Sequence, residues 1–72
     1  MEKAIKLMVE HAVRKIRGYN SLFVDDAVLR GEIYGVLGCF PLLGCEVDWE
    51  LDTDRMKFTR FAVGGVVYYK EA

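Results

Sequence analysis

From Cys45 to Asp54 acidic and uncharged residues alternate without a break, with Glu46, Asp48, Glu50 and Asp52 on one parity and Cys45, Val47, Trp49 and Leu51 on the other. Successive side chains of a strand point to opposite faces. The run therefore predicts a strand over about residues 45–51, with one dry face and one face carrying only carboxylates. Such a strand limits the fold. A second layer must cover the dry side, and the acidic side must face water.

The upstream half supplies that second layer. Ile5, Met8, Val9, Ala12, Val13 and Ile16 follow the i, i+3, i+4, i+7 spacing of one helical face. Arg14, Lys15 and Arg17 complement the dipole at the far end, and Gly18 is expected as a left-handed stop, giving a helix over about 2–17. A second helix is expected over about 22–39, capped by Ser21 or Asp25, with Leu22, Leu29, Ile33, Val36, Leu37 and Phe40 as its apolar stripe. Pro41 is expected to end it by Phe40. Ala27, Gly31, Gly35 and Gly38 form a side-chain-free groove along this helix where another backbone can approach closely.

Downstream of the acidic strand, Asp52 to Arg55 reads as a turn and Met56 to Val63 as a second strand. Pairing Leu51 with Met56 sets Trp49 against Phe58 and Glu50 against Lys57. Arg60 then falls on the dry parity, so either a bulge intervenes or the register differs. Gly64-Gly65 between apolar runs signals a hairpin into a third strand at Val66 to Lys70. The expected architecture is a single α+β domain over 1–72, with two N-terminal helices on a C-terminal antiparallel β-meander. In it Phe61, Val63, Tyr68 and Tyr69 are candidates for an exposed or subunit-facing apolar surface.

Composition points to association. Ala, Val, Ile, Leu, Met, Phe, Trp, Cys and Gly make up 41 of the 72 residues, about 57% against a usual ~45–50%. A chain this short has little interior to hide them, so a homo-oligomer is expected, a dimer before other forms. The formal net charge of -1 conceals a segregated distribution. Residues 32–54 carry six acids and no base, whereas the stretches at 1–18 and 55–72 are each basic.

Several chemistries find no support. Cys39 and Cys45 match neither a C-x-x-C pair nor a zinc knuckle, and are expected as reduced thiols in a cytoplasmic protein. His11 is the only histidine and Ser21 the only serine, with no nucleophile elbow around them. No P-loop or dinucleotide fingerprint is present. No catalytic residue, metal ligand or cofactor is therefore expected. The longest uncharged run, Ile33 to Cys45, is too short to span a bilayer.

What remains is binding. Carboxylates on alternate strand residues recur every ~6.6–6.8 Å, and Glu46, Asp48, Glu50 and Asp52 are the expected docking face for a basic protein surface. The leading expectation is a small non-enzymatic inhibitor or adaptor, of a size that suits a phage or mobile-element protein. One alternative is an oligomer that holds a small anionic or nucleotide-like ligand between subunits at Arg60, Phe61, Tyr68 and Tyr69. Another is a nucleic-acid binder using the basic first helix. The neighbouring acidic block repels phosphate, so direct nucleic-acid binding is the weaker use of those cations.

Overall fold

Two helices each bury one stripe against the same face of a small antiparallel sheet. The computed structural model describes residues 2–71; Met1 and Ala72, the ends of the expected 1–72 domain, lie outside the described residues. The elements are α1 (Lys3–Asn20), α2 (Ala27–Leu42), β1 (Val47–Asp52), β2 (Lys57–Val63) and β3 (Val66–Lys70), the α+β order expected from the sequence. The sheet runs β1-β2-β3 with both pairings antiparallel. Its core joins Val9, Ala12, Ile16 and Tyr19 of α1, Ile33, Leu37 and Phe40 of α2, and Phe58, Phe61 and Val63 of β2.

α1 passes through Gly18 and ends three residues beyond the expected boundary, because its last turn is held by tertiary contacts. The Tyr19 ring is buried edge-on against Phe58, with centroids 5.4 Å apart. The Asn20 amide donates to Phe58 O and its carbonyl accepts from Phe58 N, both at 2.8 Å. Lys57 Nζ donates to Asn20 O at 2.8 Å, satisfying an orphan carbonyl at the helix end. Ser21 caps this terminus, its Oγ donating to Gly18 O, and so does not start α2.

α2 starts later than expected. Asp26 is its N-cap, accepting from Leu29 N at 3.0 Å, while Asp25 pairs with Arg30 and accepts from the Tyr19 hydroxyl. Pro41 lies inside the last turn instead of stopping the helix at Phe40. The true stop is Gly44 at φ 78, with Gly44 N donating to Pro41 O and Cys45 N to Phe40 O. That pair of bonds is a Schellman motif. Gly31, Gly35 and Gly38 stand on α2 with no described atom within 4 Å of an added Cβ, apart from the helix's own backbone. Each such glycine costs ~0.8–1.0 kcal/mol relative to Ala, and nothing within the described chain uses the space.

The meander is as expected in outline and shifted in register. Val47 faces Val63, Trp49 faces Phe61 and Glu50 faces Arg60; then Leu51 faces Phe58 and Asp52 faces Lys57. The expected Leu51–Met56 and Trp49–Phe58 pairs do not form. Thr59 is the extra residue of a bulge, which lets Phe58 and Phe61, three apart, both point at the helices and returns Arg60 to the open face. Tyr68 is the extra residue on β3 in the same way. The β2–β3 turn is the expected Gly64-Gly65, with φ 59 and 82, the left-handed pair of a type I′ hairpin.

Candidate functional site

β1 is an edge strand, and the helices cover only one face of the sheet. Val47, Trp49 and Leu51 turn to the helices, where Trp49 stacks on Tyr34 with centroids 5.3 Å apart. The opposite parity carries Asp48 and Glu50 on the open face. Glu46 precedes the strand but stays in the ladder, because its carbonyl accepts from Gly64 N at 2.8 Å.

The four expected carboxylates do not share one electrostatic state. Arg60 lies directly opposite Glu50, yet its guanidinium donates to Asp48, two pairs along the ladder and on the same face. Asp52 builds the turn: its Oδ1 accepts from Asp54 N and Arg55 N, and its Oδ2 takes Arg55 Nε at 2.9 Å. The Arg55 side-chain hydrogen bond, ahead of those backbone bonds, holds the Asp52 carboxyl below the usual carboxylate range. Arg55 also reaches Glu71, tying the β1–β2 turn to the end of β3. Glu46 and Glu50 form no ion pair among the described residues. The acidic charge of the face that has no ion-pair partner is thus on these two, on either side of the exposed Asp48–Arg60 bridge.

An open hollow of about 690 Å³ runs beside this edge, lined by Pro41, Gly44, Cys45, Glu46, Val47, Asp48, Arg60, Ala62 and Gly65. Its polar side chains are carboxylates and one arginine already bonded to Asp48. Among the described residues no group of three His, Cys, Asp or Glu side chains is arranged to hold a metal ion. Cys39 and Cys45 are free thiols, and Ser21 and His11 sit more than two helical turns apart on α1. No helix is long and apolar enough to cross a membrane among the described residues.

The second expected cluster is not assembled. Phe61 is 0% exposed and Val63 is buried, so neither belongs to a surface. Tyr68 and Tyr69 are half-buried against the core, and Tyr69 Oη accepts from the Asn20 amide. Arg60 is on the other face of the sheet, bonded to Asp48. The Thr59 bulge explains this division, since it turns Phe61 inward and Arg60 outward. The most exposed large apolar residues are instead on the helical side, at Phe23, Val24, Val28 and Leu42, with Leu7 and Leu43 beside them and Val66 and Val67 half-exposed on β3. Val28 and Leu42 lie off the apolar stripe expected for this helix, on the same side as Gly31 and Gly35, and the stripe reading from Leu22 to Phe40 did not single them out.

Comparison of the chain with protein-family models, with curated proteins and with solved structures returns no match.

Proposed function

We propose that this is a small non-enzymatic binding protein that docks a basic protein surface on the open face of its sheet, with Glu46 and Glu50 as the contact charges. The observation that carries the reading is the state of the edge strand: two carboxylates without an ion pair lie on either side of the Asp48–Arg60 bridge, at the spacing the extended backbone sets. Asp48 and Asp52 are framework, the first bonded to Arg60 and the second to its own turn. Rim charges of this kind steer association and set orientation, so binding weakens as salt rises. The open hollows of the surface, without a converged set of reactive groups, suit a docking role better than an enclosed reaction site.

The test separates free from bridged carboxylates. Glu46→Lys/Glu50→Lys is expected to abolish retention of a basic partner from host lysate. The double swap Asp48→Arg/Arg60→Asp, which preserves both net charge and bridge, is expected to retain it. Equal binding by both variants, with circular dichroism unchanged, removes the proposal.

A further inference from the structure

We propose that the outward face of α2 is a homodimer interface, in which two copies pack antiparallel about a two-fold axis at Gly35. The inference is independent of the sheet face and its partner. On the helical wheel Val28, Gly31, Gly35, Cys39 and Leu42 share one side of α2, away from the buried Ile33 and Leu37. A two-fold axis at Gly35 sets Val28 of one copy against Leu42 of the other, Gly31 against Cys39, and Gly35 against itself. Large residues meet at the two ends and glycines in the middle, so the helices can approach closely along the whole contact. An isologous interface requires this self-complementarity.

Area and charge both favour a second copy as the occupant. Val28 is 77% and Leu42 85% exposed, Phe23 and Val24 are bare just before α2, and Leu43 is half-exposed just after it. At the ~60–120 Å² per side chain implied by ~1.5–3 kcal/mol of burial at ~25 cal/mol/Å², these five offer on the order of 450 Å² of apolar surface, comparable to the ~57% apolar share of the ~800 Å² per partner of a stable interface. Apolar surface of that extent is in the range of the largest, often functional, patch of a monomer. The one carboxylate on the face, Glu32, is paired with Lys15 at 3.3 Å, so the face meets its own image without like-charge repulsion. The sheet face, with Glu46 and Glu50, repels its own copy.

Sedimentation and light scattering on the full chain are expected to give twice the 8.2 kDa chain mass. Leu42→Lys alters an exposed side chain, and Gly35→Arg adds atoms where no described neighbour stands; each is expected to give a folded monomer by circular dichroism. Val28→Glu alone also dissociates the dimer, whereas Val28→Glu combined with Leu42→Lys restores it through two symmetric ion pairs. Orientation is read by oxidation. Gly35→Cys in a Cys39→Ser/Cys45→Ala background is expected to cross-link, while the native Cys39 does not. In the antiparallel arrangement the two Cys39 positions lie eight residues apart along the axis, about 12 Å, beyond the ~7 Å reach of a disulfide. A monomeric wild-type chain overturns the proposal, including one that binds lipid vesicles through Leu42. So do a dimer that survives both Leu42→Lys and Gly35→Arg, and a native dimer cross-linked through Cys39.

Discussion

The Asn20 carboxamide occupies the place of a missing strand residue beside Phe58, accepting from its N–H and donating to its carbonyl. β3 has ended by this point, its last bond to β2 running from Glu71 N to Thr59 O. A side chain on the helix therefore completes the sheet edge and holds α1 against it. Asn20→Ala leaves both Phe58 groups unpaired in a partly buried position. The expected loss is about 2–3 kcal/mol, a large share of what a chain of this size can hold. Urea unfolding followed by circular dichroism measures it, and a loss under ~0.5 kcal/mol contradicts the edge-completing role.

Glycines at different backbone angles are expected to respond in opposite senses. Gly18 sits in ordinary helix with no described atom within 4 Å of an added Cβ. Gly18→Ala is therefore expected to stabilise the chain by ~0.8–1.0 kcal/mol. Gly65 holds φ at 82 in the hairpin, where an L side chain costs about 1–2 kcal/mol, so Gly65→Ala destabilises. Thermal melts of the two variants, one shifted up and the other down, check the pair.

Stability is expected to fall at both pH extremes around Tyr19 and Asp25. Burial, then the hydrogen bond to Asp25, pushes the Tyr19 phenol up to about 12, against 10.0 for a free phenol. The folded state thus holds this proton more tightly than the unfolded chain. That contribution is complete below pH ~10 and disappears as pH rises through about 12. The Asp25 carboxyl is shifted down, first by Arg30 and then by Tyr19. Its contribution is present above pH ~4 and is lost as pH falls through the lowered value. Denaturation midpoints across the alkaline range check the first limb, which Tyr19→Phe is expected to flatten.

Phe61 distinguishes core from interface. Phe61→Ala is expected to cost about 3–5 kcal/mol and to leave the chain largely unfolded at room temperature. Near-native stability, measured by urea unfolding, contradicts its burial.

The parts legible in the sequence are those set by local pattern. The stripe from Ile5 to Ile16, the alternation through Val47, Trp49 and Leu51, and the glycine pair at 64–65 each encode their element within a few residues. Boundaries set by distant partners were not legible. Gly18 reads as a stop until Tyr19 and Asn20 are seen to bond β2, and Pro41 reads as a break until Gly44 is seen to close the helix. The carboxylates illustrate the same limit at the site. Strand parity puts Asp48 and Glu50 on one face, but only the register shows that Arg60 takes one and leaves the other. The odd spacing of Phe58 and Phe61, together with Arg60 on the wrong parity, was the available sign of the Thr59 bulge.

Strand order that copies chain order has a kinetic consequence. Each pairing in the meander closes over a turn of only a few residues, so little loop entropy opposes it and the sheet can form early. Asn20 and Phe58, 38 positions apart, meet only when the helix arrives. Loosening that late clasp is expected to accelerate unfolding and to leave the refolding rate nearly untouched.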